Sequence, residues 1–182
     1  MKQLFIAIIT LFILLGCGTA SKQYLLSADT THLMATKHKN IQIGVDKVSV
    51  PGYLEESKIA IKKSASEIEY RSEIWAVPTA KSLTDSLIHS LQKSLSNPNV
   101  YLFPWDIEKE RGKRVKVTIN ELIYSNGIVS LETTYFIKRI GSSHKKSYLY
   151  STHIASGGDT VSIVQAMGIL VSRLVMEIAR KI

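Results

Sequence analysis

The sequence predicts an α+β fold, a single domain in which a mostly antiparallel or mixed β-sheet carries two long helices packed against it. Three observations lead there. Apolar and polar residues alternate through 115–122, 128–137 and 147–154 around the turn-formers Asn126-Gly127 and Gly141, which is the period of strands with one buried face. Leu83, Leu87, Leu91 and Leu95 recur at every fourth residue, the period of an amphipathic helix. A second apolar stripe, Val164, Met167, Val171, Leu174, Val175 and Ile178, follows Gly157-Gly158 and runs toward Ile182.

In chain order, the first element is a leader. Met1-Lys2-Gln3 is a short positive start, and residues 4–15 are apolar and end at Gly16-Cys17. The run is too short for a permanent membrane span, which needs roughly 20 apolar residues. Leu14-Leu15-Gly16-Cys17 resembles the lipobox of bacterial lipoproteins. That resemblance implies cleavage before Cys17 and a diacylglycerol on its sulfur, usually with a further acyl chain on the freed amine. Two or three chains anchor a protein stably, whereas one gives only marginal binding. Cys17 is the only cysteine, so the mature domain has no disulfide to rely on. An aspartate directly after a lipidated cysteine commonly retains Gram-negative lipoproteins in the inner membrane. Gly18 in that place favours the outer membrane, with the domain facing the periplasm.

The expected division is therefore a cleaved signal peptide over 1–16, a lipidated N-terminus and tether over 17–39, and the α+β domain over 40–182. Within the tether, Tyr24-Leu25-Leu26 marks one short extended piece. Residues 41–50 alternate with a slip at Asp46-Lys47, as in a strand with a bulge, and Pro51-Gly52 ends it. Residues 58–63 and 67–71 flank Ser64-Ala65-Ser66 as a hairpin with one wet face. The first helix is expected over 80–96 and stops at Asn97-Pro98-Asn99. Residues 100–103 form a short apolar strand, followed by a charged loop. The three long strands then form a meander, with Asn126-Gly127 supplying the positive φ angles of a tight hairpin. Asp159 or Thr160 caps the last helix, and Arg180 and Lys181 complement its C-terminal dipole. Ile163, Ile169, Leu170 and Met176 widen the apolar stripe beyond one face. Arg173 argues against a membrane span, and Ile169 is a candidate for a surface shared with a second subunit.

The mature chain of about 165 residues suits one domain with a real core. The net charge is +8 for the full sequence, one unit of it from Lys2 in the leader, and the cations come in scattered clusters such as Lys62-Lys63 and Lys145-Lys146. An exported protein rarely meets nucleic acid, so anionic head groups or an acidic protein surface are the partners such clusters fit. Catalysis finds no foothold. The sequence holds no G-x-S-x-G, no phosphate-binding glycine loop and no free thiol once Cys17 is lipidated. His32, His38, His89, His144 and His153 lack the spacing of a zinc site. The expectation is a protein that is not an enzyme and needs no cofactor or metal beyond its covalent lipid.

Tyr24-Leu25-Leu26, Val48-Ser49-Val50-Pro51-Gly52-Tyr53-Leu54, Trp75-Ala76, Pro104-Trp105 and the strand from Val115 after Arg114 stand in a characteristic order behind the lipobox. Together they resemble the ABC-type transport auxiliary lipoproteins, the PqiC/YmbA family. The chain departs from the family pattern at Glu55-Glu56-Ser57 and at Val77-Pro78-Thr79, where a basic residue with proline and a W-A-E-P-L-like run are usual. The resemblance implies an outer-membrane lipoprotein that assembles as a homo-oligomeric ring. It would receive the periplasmic end of an MCE-domain protein carrying lipid between membranes, so supporting envelope integrity. Pro51, Gly52, Tyr53, Leu54, Trp75 and Trp105 are then candidate contact residues, although Tyr53 and Trp75 suit the core equally well. The competing function is a stand-alone periplasm-facing lipoprotein that helps assemble a secretion or outer-membrane complex. A periplasmic hydrolase ranks last.

Replacing Cys17 with serine is expected to abolish labelling by radioactive palmitate and to leave the precursor unprocessed on a gel. A variant that matures normally would refute the lipobox.

Overall fold

The computed structural model describes residues 21–28, 41–104 and 112–182. Their eight strands form one mixed sheet. Its backbone is the antiparallel meander of β6 (Lys113–Ser125), β7 (Ile128–Arg139) and β8 (Lys145–Ala155). Asn126 and Gly127 close the first hairpin with φ of 48° and 82°, the paired positive values that match the twist of the flanking strands. Alternation then sorts the side chains. Val129, Leu131, Thr133, Tyr135 and Ile137 point into the core from β7, and Glu132 and Thr134 point out.

β6 is longer than either neighbour on its other edge, and two strands share that edge end to end. β2 (Ile43–Val45) runs parallel to its first residues, with Ile43 opposite Lys113, and β3 (Lys58–Ser64) runs parallel to its last, with Ile61 opposite Tyr124. β5 (Val100–Leu102) adds to β2 in parallel. β4 (Glu67–Trp75) adds to β3 as a hairpin, and β1 (Gln23–Tyr24) adds to the end of β4 in parallel. A register shift at Asn120 changes the parity of β6, whose core-facing residues pass from Val115, Val117 and Ile119 to Leu122.

Both helices cover the same face of the sheet. α1 (Thr79–Leu95) buries Leu83, Leu87, Leu91 and Leu95 and packs against β5. It stops at Ser96, whose φ of 47° is the left-handed C-cap. α2 (Thr160–Lys181) lies on β7 and β8 and also against α1, which accounts for its double apolar stripe. By length and composition α2 could cross a membrane, with a mean hydropathy of 1.7 over its most apolar window. In this fold 56% of that window is buried, and Arg173 donates a 3.0 Å hydrogen bond to the carbonyl of His153 on β8. It serves as the core helix of the domain.

The expected fold class holds. Three local readings change. The strand expected over 41–50 is only Ile43–Val45 plus a bridge from Ser49 to Thr118. Between them Asp46 turns its carboxylate to Arg114, and Val48 N–H donates to Thr84 Oγ1 at 2.9 Å. The meander strands run two or three residues further than expected at most ends, because β6 and β7 remain paired through their polar tips. Ordered structure also begins before residue 41. β1 joins the sheet, Leu26 is 1% exposed, and its carbonyl accepts from Ser82 Oγ on α1 at 2.6 Å. The part of the presumed tether over 21–28 therefore belongs to the folded domain.

Asp159 caps α2 by accepting from Ser162 N–H at 2.9 Å and from Ser162 Oγ at 2.5 Å. The Ser162 hydroxyl, then the backbone N–H, hold its carboxyl below the ordinary 3.8. The folded chain thus binds that proton less tightly than the unfolded chain, so the cap stabilises fully above pH 3.8 and less as pH falls below it. Asp159→Ala is expected to lower the melting temperature at neutral pH. The gap to wild type should narrow in melts taken well below pH 3.8, and a pH-independent gap would contradict the cap.

Candidate docking surface

The Pro51-Gly52-Tyr53-Leu54 segment is a single 3-10 turn over Gly52–Leu54, held by Leu54 N–H to Pro51 O at 2.9 Å and Glu55 N–H to Gly52 O at 3.0 Å. The turn splits its two large side chains. Leu54 drops into the core at 1% exposure, and Tyr53 lies half-buried along β6. The Tyr53 hydroxyl accepts from Leu122 N–H at 3.0 Å, just past the Asn120 bulge where neither β2 nor β3 reaches that amide. Burial pushes the phenol up from its ordinary value, Glu121 adds to this, and the Leu122 hydrogen bond works against it. The hydroxyl therefore stays protonated and acts as a fixed structural acceptor.

The other sequence candidates scatter. Trp75 is 6% exposed and paired with Tyr24 of β1, with its backbone N–H donating to Ser57 O at 2.7 Å. Its indole nitrogen is buried without a hydrogen-bond partner among the described residues. Leu54 and Trp75 are thus core residues, a correction to their reading as contacts. The apolar character that singled them out is satisfied inside the chain. Of the described residues of that group only Gly52 is exposed, with Pro51 and Tyr53 partly so. Ile169 is half-buried on α2 outside the main core cluster. Cys17 and Trp105 lie outside the described residues.

A feature that no sequence motif marked adjoins the turn. Asp46, Lys47, Val48, Val50, Phe103 and Arg114 line a cavity of about 630 Å³ between the β2 segment and β6. Arg114 forms its rigid wall. Its Nε and Nη2 each donate to the Asp46 carboxylate at 2.8 Å, and its guanidinium lies 4.3 Å from the Phe103 ring centroid. The Asp46 hydrogen bonds keep the guanidinium even more firmly protonated than usual. The cavity therefore offers apolar surface beside fixed charge, suited to seating a peptide or an amphipathic head group. No three histidine, cysteine or carboxylate side chains gather to hold a metal among the described residues.

Residues 24–179 match the model of the family described as the ABC-type transport auxiliary lipoprotein component. The crystal structure of an uncharacterized protein superposes with a TM-score of 0.73 at 17% identity, over 90% of this chain and 99% of that one. A protein from Xanthomonas campestris superposes with a TM-score of 0.68 at 13% identity, over 87% and 92%. At such identities the two structures share the fold alone. No curated protein matches the chain.

Tyr53→Phe removes the hydroxyl that accepts from Leu122 N–H, with no other side-chain acceptor for it among the described residues, and keeps the ring. It is expected to cost about 1–2 kcal/mol in urea unfolding with the slope unchanged. Unchanged stability would mean that the hydroxyl serves a partner instead.

Proposed function

The chain belongs to the family of ABC-type transport auxiliary lipoprotein components, and on that premise we propose that it is the outer-membrane docking subunit of an MCE-type intermembrane lipid-transport system. The family match carries this reading, because it spans the fold from β1 to the last turn of α2. Family membership places the chain among envelope lipoproteins. The lipobox at Cys17 supports the anchor, and Gly18 supports the outer membrane, with the domain facing the periplasm.

The work of such a subunit is docking, with no bond made or broken. The lipid anchor fixes the domain at the bilayer and the folded surface receives the periplasmic MCE assembly, so a homo-oligomeric ring would present that surface around the path of the lipid. The partly exposed side chains Val164, Ile169 and Met176 on α2 are available to such a ring.

Affinity purification of the lipidated protein from membranes in mild detergent tests the reading. It is expected to recover an MCE-domain protein, identified by mass spectrometry, and a native mass that is a multiple of the protomer. Recovery of secretion or assembly components in place of an MCE protein would overturn it.

A further inference from the structure

Lys113, Lys138, Arg139, Lys145, Lys146 and Lys181 crowd the end of the sheet where β6 begins, β7 ends and α2 stops. They rim a cleft of about 300 Å³ whose wall includes Ile137 and Tyr148. The end of α2 employs two of them. Lys113 Nζ donates to the Ile182 carbonyl oxygen, and Lys181 lies 3.6 Å from Glu177 and 5.6 Å from the Tyr148 ring centroid. Lys145 sits 5.5 Å over the Phe136 ring. Lys138, Arg139, Lys145 and Lys146 have no carboxylate at ion-pair distance among the described residues. A helix C-terminus is served by one or two cations within its last turn. Four more in one concavity repel one another and call for negative charge from outside.

The position of the cleft selects its source. At the opposite end of the sheet Ser21 Oγ donates to Ser72 O at 2.8 Å, and Arg71 Nη2 donates to Gly158 O at 2.7 Å beside the start of α2. β1 runs parallel to β4, so its N-terminal end faces the end of the sheet that holds the β3–β4 and β6–β7 turns. α2 alone separates the two ends by about 33 Å at 1.5 Å per residue. Cys17 stands four residues before Ser21, a reach of at most about 14 Å. A domain standing on that tether turns the cationic cleft away from its own bilayer. The cations also rim a concavity with an apolar wall, a shape for side chains of a polypeptide more than for a flat head-group layer.

We infer that this membrane-distal cleft is the docking site for an acidic, partly apolar polypeptide segment of the periplasmic partner. The inference rests on the docking reading above and on anchoring through Cys17. Opposite charges at this end would steer the partner to the face turned away from the lipid.

The test uses the lipidated protein in detergent and a fluorescently labelled oligoglutamate peptide followed by anisotropy. Wild type is expected to bind, more weakly as salt shortens the Debye length below about 10 Å. Lys138→Glu/Lys146→Glu should bind roughly tenfold more weakly or worse. Lys58→Glu/Lys63→Glu, with the same charge change on exposed residues of β3, should bind as wild type does. No binding by wild type, equal loss in both variants, or binding of phosphatidylglycerol vesicles without binding of the peptide would each overturn the inference. Membrane pull-downs separate the two failures. If wild type and Lys138→Glu/Lys146→Glu recover the MCE protein equally, the cleft is not its dock although the docking function stands. If wild type recovers none, the docking function itself fails.

Discussion

The rest of the fold depends on how one edge of β6 is satisfied. Thirteen residues of strand offer a row of backbone donors and acceptors, and no single neighbour matches their length on that side. Lys113 N–H donates to Gln42 O, Asp46 N–H to Val115 O, Ser49 N–H to Val117 O, and Ile119 N–H back to Ser49 O. The next amide, past the bulge, is taken by the Tyr53 hydroxyl, and Ile61 of β3 is opposite Tyr124. These six attachments come from five residues, Gln42, Asp46, Ser49, Tyr53 and Ile61, of one segment that starts as a strand, becomes a turn and ends as a strand. The segment around Pro51 is where it is because the edge needs an acceptor between β2 and β3. Gly112 serves the same edge, since a Cβ there would lie 2.6 Å from the Gln42 carbonyl oxygen.

The second constraint is the double duty of α1. Its leucines enter the core, while Ser82, Ser86, Ser90 and Ser94 form a parallel ladder at the same four-residue spacing. Ser82 Oγ donates to Leu26 O, and Ser86 Oγ accepts from Ala28 N–H at 2.6 Å. The ladder ties residues 26–28 along the helix, a use for hydroxyls that is unfavourable in a helix interior unless a partner backbone is supplied. This attachment carries the folded domain back past residue 41 into a stretch whose composition reads as tether.

What the sequence made legible was local. Asn126-Gly127 dictates its own backbone, the leucines of α1 dictate their face, and Asp159 announces a helix start. The pairing of β1 with β4, and the division of the β6 edge between β2 and β3, join residues far apart in the chain, and no periodicity encodes which edge a short strand will find. The Asn120 bulge did leave a trace, because apolar residues sit at 115, 117 and 119 and then at 122, a one-step slip in alternation. The site was less legible than the fold. Leu54 and Trp75 are apolar in the same way whether they face a core or a partner, and only their burial separates the two. Arg114 and Asp46 lie apart in sequence, so their bidentate pair carried no motif at all.

The charge polarity of the domain follows from this topology. α2 is best served by an anion at its start and cations at its end, and Asp159, Arg180 and Lys181 supply them. β7 runs in the same sense as α2, since it leaves the Asn126-Gly127 turn near Gly158 and finishes at Arg139 opposite Lys113, whose side chain reaches Ile182. The β7–β8 turn therefore delivers Lys145 and Lys146 to the end where the helix already gathers positive charge. Glu67 and Glu69, with Glu73 further along β4, lie instead in the half of the sheet that holds the β3–β4 turn. Lys63 pairs with Glu69 at 2.9 Å and Lys62 with Glu121 at 3.2 Å there, so the two signs interleave at that end. At the end of α2 the cations outnumber the carboxylates within reach, Glu177 being the one they pair with among the described residues, and that asymmetry of charge is built into the directions of the strands.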